Sequence, residues 1–273
     1  MGKKRAMTSE KARSVKKRGH EDEKEFAELI GAGYQYQNGQ TDKKDVIDMN
    51  GDTHSVKSGD TRWQVFLYGM KRFQEDKIFK VMGGIGDGIG DLIYSCLNCY
   101  PISHSTYEEE KENTKQMLQS RMLALCGKLQ NDDVFAAFLS KSIFNCGEVI
   151  YLTIKQNNKF HVFWNKDVVD ILKDNLKRET SIARANNQTN YQKVTFVLND
   201  RQAGTIEIRH DSNKHSRQAV FCLDKELVFN LLSNGFDCEE WGDRVVVYGN
   251  AIKKFQKNHK DYLIKKASIS END

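Results

Sequence analysis

The chain has 273 residues, of which 38% are hydrophobic and 29% are charged, so it can bury a sizeable core and is not a wholly disordered chain. Its 42 basic and 38 acidic residues leave a net charge of only +4, which by itself points to no class of partner. It has no stretch of roughly 18 to 20 consecutive apolar residues, the length that crosses a bilayer, so we expect no membrane contact.

The first eighteen residues form a basic N-terminal arm (residues 1–18). Eight of them are lysine or arginine, and Glu10 is the single acid. Such an arm favours a polyanion electrostatically, although a solvated terminus without a partner has the same composition. Because no apolar run follows it, the arm differs from a signal peptide, and we expect a cytoplasmic protein.

The first elements predicted after the arm are a helix, a β-hairpin and a second helix. In the hairpin, Asn50-Gly51 supplies the positive φ angles of a tight turn. Apolar residues at 63, 66, 67 and 70 have the spacing of one face of an amphipathic helix. The predicted bounds are 21–30 for the first helix, 45–49 and 53–58 for the two strands, and 62–75 for the second helix.

The middle of the chain begins with the glycine-rich stretch Gly83–Asp91. It lacks the G-x-G-x-x-G spacing of dinucleotide-binding loops and the Lys-Ser or Lys-Thr of phosphate-binding loops, so we expect a mobile loop or hinge. Two helices are predicted after it, at 107–128 and 132–144. The apolar stripe of the first consists of Met117, Leu118, Met122, Leu125 and Leu129.

The last segment, residues 146–273, mixes strand and helix periodicities. Strands are predicted at 148–155, 160–164, 193–198, 204–209, 219–223 and 244–248, and helices at 167–176, 225–232 and 251–262. The whole pattern predicts an α/β fold with additional α+β elements in the C-terminal region.

The hairpin is the place where the residues suggest chemistry. Its turn brings Asp45, on the first strand, close to Lys57, twelve residues later on the second. Side chains at i and i+2 of a strand share a face, so Ser55 and Lys57 point the same way. An acid, a lysine and a hydroxyl are therefore expected to converge.

Two residues from the flanking helices are expected to join this group. Glu23, from the first helix, and Asp45 supply two carboxylates that can hold a hard divalent ion such as Mg²⁺, and Gln64 comes from the following helix. A bound magnesium ion polarises a phosphate and lowers the pKa of its water, while Lys57 assists that water as the nucleophile. This is the chemistry of phosphodiester hydrolysis.

Four motifs in residues 19–70 together resemble a known family. They are Gly19-x-x-x-Glu23-x-x-Phe26, Asp45-Val-Ile-Asp48, Ser55-Val-Lys57-Ser58-Gly59 and Trp63-Gln64-Val-Phe66. Their order is similar to that of the PD-(D/E)xK nuclease superfamily, particularly type II restriction endonucleases. The resemblance implies that Glu23 is the helix-borne acid, Asp45 the central metal ligand, Lys57 the catalytic lysine and Gln64 the residue often found beside the site.

The resemblance also implies a fold, an activity and partners. The fold is a restriction-endonuclease-like mixed sheet flanked by helices, with a nuclease core and helical insertion at 19–145. The activity is magnesium-dependent hydrolysis of specific double-stranded DNA sequences, leaving 5′-phosphate ends. The expected partners are double-stranded DNA, a second copy of the chain in a homodimer, and a cognate DNA methyltransferase of the same restriction system.

The sequence departs from the family pattern at Ser55, where the family usually has Asp or Glu two residues before the lysine. Another acid can replace it, with Glu23 as the first candidate, or the site is weakened or inactive. Asp48 is a poorer candidate, because its parity along the strand differs from that of Asp45.

DNA recognition is assigned to the segment 146–273, above all to the polar stretch at 207–217. This stretch follows a predicted strand and gathers donors that suit base edges and phosphates, although an ordinary polar loop has the same composition. The residues expected to contact DNA are Arg209, His210, Lys214, His215 and Arg217.

Three alternatives stay open at this point. The first is a repair, recombination or mobile-element endonuclease that reads DNA structure rather than sequence. The second is a DNA-binding protein whose nuclease site has decayed at Ser55, and the third is a regulatory module whose resemblance to nucleases is accidental.

Overall fold

The computed structural model describes residues 9–33, 43–59, 61–180, 193–210 and 216–255. The helices in this part are α1 (Ser9–Leu29), α2 (Met70–Glu75), α3 (Lys77–Val81), α4 (Ile89–Leu97), α5 (His104–Glu109), α6 (Lys111–Leu129), α7 (Asp132–Phe144), α8 (Asn165–Asn175) and α9 (Lys225–Gly235). The strands are β1 (Val46–Ile47), β2 (Thr53–Lys57), β3 (Arg62–Gly69), β4 (Tyr151–Gln156), β5 (Lys159–Trp164), β6 (Lys177–Thr180), β7 (Lys193–Leu198), β8 (Arg201–Arg209), β9 (Gln218–Asp224), β10 (Cys238–Trp241) and β11 (Val245–Tyr248).

These elements form two sheets flanked by helices, which confirms the α/β class. The chain divides into two compact units that interleave along the sequence. The first comprises Met1–Asp60, Gly147–Val168 and Leu231–Asp273, and the second comprises Thr61–Cys146 and Val169–Asn230. Each unit therefore draws residues from both of the predicted segments, 19–145 and 146–273.

The first unit contains a six-stranded mixed sheet in the order β1-β2-β4-β5-β11-β10. The pairs β2/β4 and β5/β11 are parallel, and the other three neighbours are antiparallel. Helix α1 packs on this sheet through Phe26 and Ala27, and together with Ile30, just after the helix, they join buried side chains from the strands in one core. Burial of these apolar faces is the main stabilising contribution to the unit.

The second unit contains a five-stranded antiparallel sheet in the order β3-β9-β8-β7-β6. Its core is rich in phenylalanine. The ring of Phe66 lies 5.7 Å from that of Phe221 and 6.3 Å from that of Phe138, with edge-on geometry in both pairs. Edge-to-face contacts of this kind add to the stabilisation that comes from burying the rings.

The helix predicted at 62–75 is wrong for most of its length, because residues 62–69 form strand β3 and only 70–75 are helical. Trp63 and Phe66 are both buried although they are three residues apart. A β-bulge between Gln64 and Phe66 shifts the register and places both side chains on one face. The bulge thus gives a strand the three-residue spacing that is typical of a helix.

The stretch Gly83–Asp91 is also not a loop throughout, because α4 begins at Ile89. Gly90 lies inside this helix, where an added Cβ would stand 2.8 Å from the carbonyl oxygen of Phe79. Gly88, just before the helix, would meet the carbonyl oxygen of Lys80 at 2.5 Å. These glycines therefore permit close packing of backbone on backbone.

Other predicted bounds changed in smaller ways. Helix α1 begins at Ser9, so the second half of the predicted arm is helical, and the helix predicted at 107–128 is broken in two at Glu110. Strands β6 and β10 were not predicted. Residues 251–255 are helical, as predicted, and the remainder of that predicted helix, 256–262, lies outside the described residues. None of the helices in the described ranges has the length and apolar character needed to cross a bilayer.

Candidate active site

The turn of the β1-β2 hairpin is held by the side chain of Asp48. Its Oδ1 accepts hydrogen bonds from the backbone N–H groups of Asn50 at 2.8 Å and Asp52 at 3.0 Å. Gly51 has a φ of +83°, which glycine adopts without the steric penalty of a Cβ. The predicted turn is present, but of the Asn50-Gly51 pair only Gly51 has a positive φ, and the connection between the two strands spans residues 48–52.

The hairpin brings three side chains together at Asp45, the residue before β1. The backbone N–H of Asp45 donates to the carbonyl oxygen of His54 at 2.9 Å. Its Oδ2 accepts hydrogen bonds from Ser55 Oγ at 3.2 Å, from the backbone N–H of Val56 at 2.7 Å and from Lys57 Nζ at 3.3 Å. An acid, a lysine and a hydroxyl thus converge on one carboxylate oxygen.

The group is partly shielded from water. The side chains of Asp45 and Lys57 are 20% and 25% exposed, and Ser55 is 1% exposed. Among the described residues, every hydrogen bond to the Asp45 carboxylate goes to Oδ2, so Oδ1 is the oxygen that can take a cation or a water. A carboxylate fixed in this way beside an ammonium group can bind a hard cation on one side and position a nucleophile on the other.

A buried polar cluster around His54 joins the hairpin to the neighbouring strand β4. The imidazole of His54 is fully buried, with Nδ1 3.1 Å from Thr153 Oγ1 and Nε2 3.8 Å from Asp48 Oδ2, and its ring stacks on Tyr151 at 4.7 Å. Burial alone would raise the pKa of Asp48, but the neighbouring imidazole of His54 and the backbone N–H groups of Asn50 and Asp52 lower it. Asp48 thus has a structural role in the turn, in agreement with the strand parity that made it a poor candidate ligand.

Tyr151 ties the same turn to the neighbouring strand β4. Its hydroxyl donates to Asp52 Oδ2 at 3.2 Å. Burial, followed by the negative charges of Asp52 and Asp48, raises the pKa of this phenol far above its ordinary value, so it stays a donor at any physiological pH. Sequence reasoning missed this contact, because β4 follows almost a hundred residues later.

Glu23 lies on α1, the helix that packs against the strands of the candidate site. Its side chain is 17% exposed, and its Oε2 lies 3.1 Å from His20 Nδ1. Three residues further along α1, the ring of Phe26 makes an edge contact with His54 of β2 at 5.0 Å. The helix that carries the predicted second acid is therefore fixed to the strand that carries Lys57.

An ion cluster on the same helix was not predicted. Lys155 Nζ, from β4, lies 2.6 Å from Asp22 Oδ1 and 2.6 Å from Glu25 Oε2, and Arg244 also pairs with Glu25. Burial alone would raise the pKa of Glu25, but its hydrogen bonds to Lys155 and Arg244 and their charges lower it. The two acids on either side of Glu23 are thus used to anchor α1 to the sheet.

Gln64 lies on a strand and not on a helix. It belongs to β3 of the second unit, is exposed, and is paired in register with Cys222 of β9. The prediction that Gln64 stands on a helix after the hairpin is therefore wrong, because the β-bulge between Gln64 and Phe66 gives this strand the residue spacing of a helix.

The predicted DNA-contacting stretch is only partly described. Lys214 and His215 lie outside the described residues. His210 is buried, and its ring lies 5.0 Å from that of Tyr100 and 5.0 Å from that of Tyr107. Its Nδ1 also lies 3.0 Å from Ser216 Oγ, so His210 is packed within the second unit, and its contact with DNA stays a prediction.

The two arginines of that stretch differ in their surroundings. Arg217 has a positive φ of 54°, and its guanidinium donates to the carbonyl oxygen of Leu97 at 3.3 Å and to Asn98 Oδ1 at 2.8 Å, so it closes the end of α4. Arg209 is the last residue of β8 and is half-buried opposite Gln218.

The side chains at the hairpin suit magnesium only in part. In the described ranges, no three His, Cys, Asp or Glu side chains lie together as a metal-binding group. Magnesium sites commonly use one or two carboxylates and complete their six oxygens with water and substrate phosphate, so Asp45 with one further acid is sufficient.

Comparison of the chain with protein-family models, curated proteins and solved structures finds no significant match.

Proposed function

We propose that the protein is a magnesium-dependent endonuclease that hydrolyses phosphodiester bonds in specific double-stranded DNA sequences, as type II restriction endonucleases do. The observation that carries the proposal is the convergence of Ser55 Oγ and Lys57 Nζ on Oδ2 of Asp45. The mixed sheet with α1 packed on it supports a restriction-endonuclease-like core for the first unit.

In the proposed reaction, a water molecule loses a proton to solvent and attacks phosphorus in line with the 3′-oxygen. The bond between phosphorus and the 3′-oxygen breaks, and the 3′-oxygen takes a proton from solvent, so the products are a 5′-phosphate and a 3′-hydroxyl. Asp45 and Glu23 would hold the metal ion, which would polarise the phosphate and lower the pKa of the attacking water. Lys57 orients that water and stabilises the negative charge that develops beside it. Ser55 fixes the Asp45 carboxylate, so that its free oxygen keeps one direction.

The proposal extends to the setting of the enzyme. Cutting both strands of a palindromic site favours a symmetric homodimer, because each protomer then meets one strand in the same geometry. A restriction enzyme in the cytoplasm also requires protection of the host DNA, which a cognate DNA methyltransferase provides.

The test is cleavage of a plasmid of known sequence, with magnesium or with a chelator, by the wild-type protein and by Asp45→Asn and Lys57→Met. We expect discrete magnesium-dependent fragments from the wild type and none from either variant. Lys159→Met is the matched control, because this partly exposed lysine of β5 pairs with Glu240 of β10, the edge strand farthest from β1. Equal cleavage by Asp45→Asn would refute the site, and nicked circles alone would favour an enzyme that reads DNA structure.

One observation favours a second function. Position 55 is a serine, and the described residues place no metal-binding group of three acidic, histidine or cysteine side chains at this hairpin. The second function is that of a DNA-binding protein with a decayed nuclease site. It predicts that the plasmid stays intact with magnesium, manganese or calcium and is still retarded in a low-salt gel, with binding that weakens steeply as salt is added.

A further inference from the structure

Helix α1 consists of two halves of opposite charge. Residues 11–18, which we call the cationic half of α1, contain no acid and five bases, Lys11, Arg13, Lys16, Lys17 and Arg18. Residues 21–28 contain one base, Lys24, and five acids, Glu21, Asp22, Glu23, Glu25 and Glu28. The charge changes sign at Gly19, within one continuous helix.

This order of charges does not stabilise an isolated helix. Arg13 stands one turn from Lys16 and Lys17, and like charges at these spacings repel. The helix dipole favours acids near the amino end and bases near the carboxyl end, whereas the last turn of α1 contains no base. Lys17 also pairs with Glu21 at 3.8 Å, but both side chains are largely exposed, and a pair of this kind contributes little. The charge pattern of the cationic half therefore adds little to the stability of the helix.

The cationic half is also separated from the core of its own unit. All six side chains from Arg13 to Arg18 are exposed, and Val15, the apolar one among them, is 39% exposed. Buried positions begin at Asp22 and continue with Phe26. At 1.5 Å per residue, Arg13 stands about 15 Å along the helix axis from Glu23 of the candidate site.

One face of this half borders a surface hollow of about 450 Å³. Its described lining carries four bases, one histidine and one acid, so the hollow is electrostatically suited to an anion. These residues are Arg13, Lys16, Lys17, His20, Glu21 and Lys24.

We propose that the cationic half of α1 is an arm that binds the sugar-phosphate backbone of duplex DNA. The cations of this half point to several sides of the helix, so they suit a partner with negative charges on both sides of it. The major groove of B-DNA, about 12 Å wide, is such a partner, because it admits a helix between two rows of phosphates. Lysine and arginine contacts to phosphate carry affinity without sequence, so the arm holds DNA near the site and the bases are read elsewhere. The inference rests on the proposed function for its choice of duplex DNA as the partner.

The arm is tested by the affinity of the full chain for a fluorescent duplex, measured by anisotropy in chelator at a series of salt concentrations. The variant is Arg13→Gln, Lys16→Gln and Lys17→Gln combined. The control removes the same number of exposed cations from the second unit, in Lys71→Gln, Lys77→Gln and Lys80→Gln.

We expect the arm variant to lower the slope of log affinity against log salt by about 2.7, since each phosphate contact contributes about 0.9, and to weaken binding at low salt by at least about 50-fold. The control should change both quantities little. The melting temperature of the arm variant should equal or exceed that of the wild type, because mutual repulsion is removed, whereas a structural role would lower it.

The outcomes separate the arm from the proposed function. Equal salt slopes for arm variant and control would overturn the arm, even where the wild-type protein cuts plasmid DNA. Tighter binding of the wild type to vesicles of anionic phospholipid than to the duplex would overturn it as well. Loss of duplex binding in the arm variant, with a wild type that cuts nothing under any divalent ion, would support the arm and refute the nuclease.

Discussion

Replacement of Ser55 by aspartate restores the acid that the restriction-endonuclease pattern has at this position, and its cost can be worked out from the structure. Ser55 Oγ lies 3.2 Å from Asp45 Oδ2, so the new carboxylate would stand about 4 Å from the existing one. At an effective dielectric constant of about 20, two like unit charges at that distance repel by about 4 kcal/mol. The ammonium group of Lys57, 3.3 Å from the same oxygen, offsets part of this repulsion. We therefore expect Ser55→Asp to lower the free energy of unfolding in chelator by about 2 kcal/mol.

The control for this variant is Ser55→Asn, which has nearly the same shape and no charge. Urea unfolding at about pH 8 gives the free energies in chelator and in excess magnesium. Magnesium at about 100 times its dissociation constant should stabilise Ser55→Asp by about 2.7 kcal/mol and Ser55→Asn by much less. Equal stability of the two variants in chelator, or an equal response to magnesium, would refute the reasoning that Ser55 faces a metal-binding carboxylate.

Three other substitutions test the fold around the site. Asp48→Asn removes a carboxylate whose pKa is lowered in the folded state, where its interactions outweigh the effect of burial. That carboxylate stabilises the fold above about pH 4, and the stabilisation is lost as the pH falls through its folded pKa. Between about pH 6 and pH 3, the free energy of urea unfolding should therefore change less for the variant than for the wild type. Lys155→Met leaves two carboxylates of α1 without their shared partner and should cost about 2 to 3 kcal/mol of unfolding free energy. Lys159→Met, at a more exposed ion pair, should leave the unfolding free energy unchanged, and equal effects of the two substitutions would contradict an anchoring role. Gly90→Ala should destabilise the protein by about 1 to 3 kcal/mol, because the added methyl group meets the backbone of α3. Gly127→Ala, with open space around it in α6, should stabilise the protein by about 0.5 to 1 kcal/mol when both variants are compared by thermal unfolding. A gain of stability in both variants would show that the contact at α4 relaxes.

The parts of the site that could be predicted from the sequence are those that depend on local geometry. The Asn-Gly turn and the two-residue period of a strand are sufficient to place Ser55 and Lys57 on one side, next to Asp45. The same period correctly separated Asp48 from that group, and the structure adds the reason, since Asp48 closes the turn and faces His54.

The parts that could not be predicted depend on contacts between distant segments of the chain. Lys155 meets Asp22 across more than 130 positions, and no spacing rule connects them. The bulge beside Gln64 made a strand look like a helix in the sequence, because it places the side chains of Trp63 and Phe66 on one face although they are three residues apart instead of two. The glycines at 88 and 90 were interpreted as a source of flexibility, but their role is to let the backbone of α3 approach α4.

The interleaving of the two units has a consequence for synthesis of the chain. Strand β5 is complete at Trp164, but its parallel neighbour β11 begins only at Val245, about eighty residues later. Until β11 emerges from the ribosome, one edge of β5 presents unpaired backbone groups, which invite pairing with other chains. The antiparallel sheet of the second unit also joins distant strands, β3 and β9, but its last strand ends at Asp224. The unit that carries Asp45 and Lys57 is therefore the later of the two to have all its strands synthesised. A proline at Val246 removes a backbone donor from this central strand, so it should both destabilise the folded unit and lower the yield of native protein through aggregation.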